Sequence, residues 1–190
     1  MNKEHLAYCG SPEWGDVVER HMIPWVTRGT EFGDRLLEVG PGPGLTTEFL
    51  RTMTEQLTAI ELDTELAAAL GERMAGSNVR VVNADATAMP FADGEFSAAI
   101  CLTMLHHVPS VEMQDALLAE MARVVRPRGF VIGSDSLDSP EFRTFHEGDV
   151  CTPVDPVTLK PKLEGFGLVD VLVETNPYSL RFAARVPAAP

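Results

Sequence analysis

The sequence predicts an α/β domain: a doubly wound, mostly parallel sheet of seven strands that ends in an antiparallel hairpin. Three observations predict it. Short apolar runs alternate with helical periodicities along most of the chain, the pattern of βα units whose sheet is covered on both faces. The first of these runs leads directly into Gly40-Pro41-Gly42-Pro43-Gly44, a turn of the kind that joins a parallel strand to its helix. The 190 residues, 45% of them apolar, amount to a little over one domain of about 150 residues. A chain of that size buries roughly 70% of its unfolded surface and needs no covalent staples.

Each element has its own local cause. Ser11-Pro12-Glu13 is a helix start, a capping residue followed by proline in the first turn. Trp14, Val17, Val18 and His21/Met22 then share a face, and Pro24 is expected to end the element. This amphipathic piece either packs as an extra core helix or lids a site, so residues 1–30 read as a helical cap and 31–187 as the main domain. Arg35–Val39 is the first strand, and Thr46–Met53 its helix, with Thr46 or Thr47 available as cap. Leu57–Leu62, Glu65–Met74 and Val79–Val82 continue the alternation. Phe96–Thr103 is an apolar fourth strand entered through Asp93-Gly94. Val111, Leu117, Leu118, Met121, Val124 and Val125 recur with a period close to 3.6, and Arg126-Pro127 stops that helix. Phe130–Gly133 is the fifth strand. Residues 134–161 hold Pro140, Pro153, Pro156 and Pro161 and read as irregular apart from a short helix around Glu141–His146. Leu168–Glu174 and Ser179–Val186 flank Asn176-Pro177 as the closing hairpin.

Fifteen Lys and Arg against 28 Asp and Glu leave a net charge of −13, which repels phosphate backbones and anionic lipid. No run of basic residues offsets it, so neither a nucleic-acid nor a membrane partner is expected. Cys9, Cys101 and Cys151 lie far apart and match no Cys/His ligand spacing, which argues against a disulfide framework and against a metal. The first residues lack an apolar signal core, and no stretch of about 18 apolar residues occurs. The expectation is a soluble, reduced, cytoplasmic protein, with its oligomeric state open.

The glycine loop is the most informative stretch. In a dinucleotide fingerprint GxGxxG the third glycine would fall where Leu45 stands; the spacing is GxGxG instead. Prolines at 41 and 43 also remove two backbone N–H donors that a phosphate cradle would use. The loop therefore suits a ligand that needs close approach without a pyrophosphate, which weighs against NAD, FAD and ATP. Glu61 ends the second strand about 20 residues after Gly40, where a carboxylate can accept both hydrogen bonds of a ribose diol. Asp85, in Asn83-Ala84-Asp85-Ala86 after the third strand, can accept from an adenine amine, and Ala86 lets the ring lie close. Singly, each acid reads as a solvated surface residue. In this order on three strand ends, they describe an adenosine without phosphates.

With these residues in place, LLEVGPGPGLTTEFL, AIELDTELAAAL, VVNADATAMPFADGEFSAAICLTMLHHV and ARVVRPRGFVIGSD resemble the successive motifs of the class I S-adenosylmethionine-dependent methyltransferases. The resemblance runs from about Leu36 to Ser134 and is strongest to the broad type 11 group that methylates small molecules. It implies a Rossmann-like methyltransferase fold, S-adenosylmethionine as cofactor and S-adenosylhomocysteine as product. It also implies that Glu38, Gly40, Pro41, Gly42 and Gly44 line the cofactor. Glu61 and Leu62 would meet the ribose, Asp85 and Ala86 the adenine, and Thr103 and Met104 the methionine moiety. Two positions depart from the pattern: Ser97 stands where aspartate is usual and Arg128 where glycine is usual. Both read as structural variation, with Arg128 in a turn that does not demand positive φ.

Methyl transfer is an in-line displacement whose rate comes largely from alignment, and a base is needed only if the acceptor must first lose a proton. Candidates are His106 and His107, just past the fourth strand, and Asp135 after the fifth, where it could orient an acceptor or serve a turn. The histidines could equally be structural, packed under a loop. His21 and His146 lie in the segments expected to wall the substrate side, and Tyr8 and Trp14 could cover the cofactor in a closing lid. The leading expectation is methylation of a small molecule at oxygen, nitrogen or carbon. A non-catalytic module that binds the cofactor is the alternative. An RNA adenine methyltransferase is a further one, although its Asn/Asp-x-Pro-aromatic motif is replaced by Thr103-Met104-Leu105-His106.

Overall fold

A computed structural model describes residues 3–189. The five apolar runs become the parallel strands β1 (Arg35–Val39), β2 (Gln56–Glu61), β3 (Val79–Asn83), β4 (Phe96–Leu102) and β5 (Val125–Ser136). β6 (Val169–Thr175) and β7 (Ser179–Arg185) pair antiparallel to each other, and β7 pairs antiparallel to β5. The sheet order is β3-β2-β1-β4-β5-β7-β6. The order reverses between β1 and β4, so the connections leaving these strands part to opposite sides and open a crevice at their carboxyl ends. All seven residues of β4 are buried, as its unbroken apolar run requires.

The N-terminal segment splits into α1 (Lys3–Cys9), α2 (Pro12–Val17), a π-helical turn (Val18–Met22) and α3 (Ile23–Val26). Ser11 caps α2 by accepting from the Trp14 N–H, with Pro12 in the first turn. Pro24 does not end the element. The wide turn before it bonds the Ile23 N–H to the Val18 carbonyl and makes room for the ring, so the helical path runs on to Val26. The buried face is also rotated from the one the spacing predicts: Val18, Met22, Ile23 and Val26 are buried, and Val17 and His21 are exposed. That face packs with Leu36, Leu50, Leu57, Ala98, Ile100 and Ile132 on one side of the sheet. On the other side Leu37, Val39, Ala99, Cys101 and Val131 pack with the later helices and the hairpin.

Those helices are α4 (Leu45–Leu50), α5 (Thr64–Arg73), α6 (Val111–Val124), α7 (Pro140–Phe145) and α8 (Pro156–Gly165). Neither Thr46 nor Thr47 caps α4; Gly44 does so in the left-handed conformation, and both threonines point their hydroxyls at Glu38 instead. Asp63 caps α5 through the N–H groups of Glu65 and Leu66. α8 falls in the stretch that the prolines made unreadable. Asp155 caps it, Pro156 opens it, and buried Leu159 and Leu163 anchor it, while Pro161 would free the carbonyl of Val157, an 81% exposed residue at the solvent side.

Two turns differ from expectation or carry its departures. β5 starts at Val125 rather than Phe130, and Arg128 has φ +67, the left-handed conformation, where a turn without positive φ was expected. Its N–H bonds to the Val186 carbonyl and its side chain is exposed, so the hairpin holds a conformation costing about 1–2 kcal/mol. Ser97 is buried, donates toward the Phe32 and Arg35 carbonyls and accepts the Arg35 N–H at 2.8 Å, tying the entry of β1 to β4. No helix among the described residues is long and apolar enough to cross a membrane.

Candidate functional site

The crevice is built on the turn after β1. Gly40, Gly42 and Gly44 have φ of +68, +55 and +80, a run of left-handed conformations open only to glycine without strain. Their N–H groups are all committed: Gly40 to the Ile60 carbonyl at 2.9 Å, Gly44 to the Pro41 carbonyl at 2.9 Å, and Gly42 to Glu61 Oε2 at 3.0 Å. Pro41 and Pro43 have none to offer. The loop thus presents a bare, closely approachable backbone and no donor cradle for a pyrophosphate. Cys9, Trp14, Met104 and His107 line the same crevice as the glycines.

Glu38 lies beneath this loop, 1% exposed, with its two carboxylate oxygens accepting from the Thr46 and Thr47 hydroxyls at 2.5 and 2.6 Å. Burial raises its pKa to about 7, opposed by the two hydroxyls and reinforced by the charge of Glu61. It therefore fastens the first turn of α4 to β1. Glu61, also buried, accepts the Gly42 N–H on Oε2 and the Asp63 N–H at 2.9 Å on Oε1. Each oxygen keeps a second lone-pair direction, enough for a diol. Leu62 beside it is 68% exposed.

Asp85 is exposed at the end of β3; its Oδ1 accepts the N–H and hydroxyl of Thr87 in a local turn, with Ala86 half-buried next to it. Thr103, just past β4, has φ +50, a rare conformation for a β-branched residue, held by its N–H bond to the Ser134 carbonyl at 2.8 Å. Met104 follows, half-buried, so close that a Cβ on Gly40 would come within 2.9 Å of its methyl group.

The acidic and imidazole candidates sit behind this wall. His106 and His107 occupy a 3₁₀ turn, Leu105–His107. His106 is 2% exposed, its Nδ1 lies 2.5 Å from Asp135 Oδ1, and its backbone N–H donates to Asp135 Oδ2. Asp135 is fully buried. Only His107 of these three reaches the crevice wall, and burial first, then the neighbouring imidazoles, lower its pKa to about 3. His146, at the end of α7, is also buried and bonds through Nδ1 to the Phe142 carbonyl. Tyr8, 40% exposed, packs tilted against Trp14 with ring centroids 5.5 Å apart, and only Trp14 of the pair lines the crevice. His21 is exposed. The sequence offered no signal for His5 on α1, which the fold brings against His106, His107 and His146.

Residues 37–133, just over half of the chain, match the family model described as a methyltransferase domain. A ribosomal RNA small subunit methyltransferase A of Moorella thermoacetica is 40% identical over 78 residues, 40% of this chain and 27% of that protein. A ubiquinone biosynthesis O-methyltransferase of Xanthomonas oryzae pv. oryzae is 34% identical over 100 residues, 51% of this chain and 41% of that protein. The chain thus spans less than half the length of both relatives. The crystal structure of a SAM-dependent methyltransferase from Aquifex aeolicus superposes with a TM-score of 0.76 at 19% identity, covering 98% of this chain and 99% of that one. At that identity the likeness is one of fold.

Proposed function

The chain belongs to the methyltransferase domain family, with a class I Rossmann-like architecture, and on that premise we propose that it moves a methyl group from S-adenosylmethionine to a small-molecule acceptor at oxygen, nitrogen or carbon. The observation that carries this reading is the glycine loop, whose three N–H groups are all bonded internally while its bare backbone faces the crevice beside Glu61. That arrangement fits an adenosine carrying no phosphate. The bound cofactor supplies an electrophilic methyl group on a sulfonium centre.

The chain's own residues do the rest. Gly40, Pro41, Gly42 and Gly44 admit close approach, and Glu61 offers its remaining lone pairs to the ribose hydroxyls with Leu62 alongside. Asp85 and Ala86 receive the adenine edge. Thr103, held by its N–H bond to Ser134, and Met104, packed against Gly40, flank the methionine moiety. Glu38 acts one layer below, as a positioning residue for the loop. On the acceptor side Trp14 and His107 form the wall, with His106 and Asp135 fixing the turn that carries His107. The ring of a neutral His107 shapes the acceptor side of that wall, and alignment of the acceptor there supplies most of what in-line transfer needs. Tyr8 and Trp14 close the crevice from the N-terminal side, and His146 supports that closure.

The match to a ribosomal RNA methyltransferase supports a second reading, adenine methylation in RNA. The charge of −13 and the sequence Thr103-Met104-Leu105-His106 at the end of β4 favour the small molecule. A thermal-shift titration tests the cofactor assignment. S-adenosylhomocysteine at about 100 times its Kd should add roughly 2.7 kcal/mol and raise Tm by several degrees, while NADH and ATP do nothing. Glu61→Ala should weaken that binding by about 1.5–3 kcal/mol. A shift with NADH instead, or unaltered binding in the variant, overturns the reading.

A further inference from the structure

Four of the five histidines in the chain meet at one point. His5 comes from α1, His106 and His107 from the turn after β4, and His146 from the end of α7. One ring nitrogen of each lies within 4.8 Å of the other three. Three of the four are buried and His107 is half-buried at the crevice wall. Mutual packing of aromatic rings accounts for the short centroid distances, such as 4.1 Å between His106 and His107, but not for the nitrogens. Among the described residues, His106 Nε2, His146 Nε2 and both ring nitrogens of His107 are buried without a hydrogen-bond partner. Buried polar atoms are rarely left so, and each costs about 1–3 kcal/mol when it is.

The partners that do exist set the tautomers. The Asp135 carboxylate and the Phe142 carbonyl can only accept, so the imidazoles of His106 and His146 carry their protons on Nδ1. Nε2 of each is then a bare lone pair. An imidazole oriented by a carboxylate or a backbone carbonyl on its far nitrogen is the usual outer arrangement of a metal-bound histidine. The Asp149 carboxylate lies 3.9 Å from His5 Nδ1 and adds negative charge at the edge of the cluster.

We propose that His5, His106, His107 and His146 bind a divalent first-row transition ion, with Zn²⁺ as the expected occupant. Nitrogen ligands suit Zn²⁺ and its neighbours Co²⁺, Ni²⁺ and Cu²⁺, and the oxygen-seeking Mg²⁺ and Ca²⁺ are excluded by the absence of carboxylates among the four. Tetrahedral ligation at Zn–N distances of about 2.0–2.1 Å places ligand nitrogens about 3.3 Å apart, within reach of 4.8 Å by side-chain rotation. The ion ties α1 and α7 to the turn after β4 and so holds the N-terminal helix against the acceptor side of the crevice. The site stands on the histidines alone and does not depend on the methyltransferase reading.

The test uses the full chain, freed of metal with a chelator, titrated with Co²⁺ and followed by visible absorption, with Zn²⁺ then added in competition. One equivalent should bind with the intense bands of a four-coordinate ion, be displaced by Zn²⁺, and raise Tm by several degrees at saturation. His5→Gln and His146→Gln should each weaken binding at least about tenfold, and His21→Ala, at an exposed position, should leave it unchanged. No stoichiometric binding, a weak octahedral spectrum, or undiminished affinity in His5→Gln overturns the site. Because His5 lies on α1, which gives no residue to the hydrophobic core clusters, that variant decides the matter even if His146→Gln does not fold.

Discussion

Glu38 shows how a residue marked by a motif acquires a different task from its neighbours. In sequence it reads as one more acid at the cofactor; in the fold it is sealed under the loop by two threonine hydroxyls. Its pKa of about 7 stands above the ordinary 4.5, so the folded state holds the proton more tightly than the unfolded chain does. The contribution of this group to stability is therefore full below about pH 4.5 and is lost as the pH rises toward 7, at up to about 1.4 kcal/mol per pH unit. Urea unfolding of the wild type and Glu38→Gln across this range should show a fall in the difference between them over that window. A constant difference would mean that Glu38 titrates normally. Glu61, a neighbour in space, ends β2 as its place in the sequence suggested, while its bonds to Gly42 and Asp63 were not readable there.

At the scale of elements, α5 connects local sequence rules to the site. Asp63 caps the helix, and its own N–H is held by Glu61 Oε1 at 2.9 Å, so the cap and Glu61 form one unit. Asp63→Ala should lower stability by about 0.5–2 kcal/mol, typical of a lost N-cap. It should also weaken S-adenosylhomocysteine binding, because a frayed first turn no longer pins Glu61. Parallel melting and binding measurements check both; a loss of stability with intact affinity would separate cap from site. Elements with strong local signals, such as the apolar run of β4 and the periodicity of α6, were legible from sequence. α8 was not, because four prolines in residues 134–161 read as breakers, although Pro140 and Pro156 open α7 and α8 and Pro161 sits inside α8. The same is true of Pro24, admitted by a π-helical turn that no local rule announces.

On the scale of the whole molecule, Phe182 joins the hairpin to the parallel core. It is fully buried, pairs with Gly133 in register, and occupies space so close that a Cβ on Gly133 would meet its ring at 2.6 Å. Phe182→Ala should cost about 3–5 kcal/mol and lower the denaturation midpoint while keeping one cooperative transition, if hairpin and core unfold together. Two separated transitions would show the hairpin to be an independent unit.

The sequence by itself determined the order of the strands along the chain, the fold class, the GxGxG loop and the places of Glu61 and Asp85 by strand ends, because each depends on periodicity or on neighbours a few residues away. Tertiary structure alone decided which face of the N-terminal segment is buried, that Arg128 takes a left-handed turn, and that Glu38 turns inward. It also decided that His5, His106, His107 and His146 share one point. These outcomes rest on contacts between residues as many as 141 positions apart, 146 − 5 in the histidine cluster. Spacing along a chain carries no signal for such contacts, since they arise only when the sheet order brings distant strand ends to one edge.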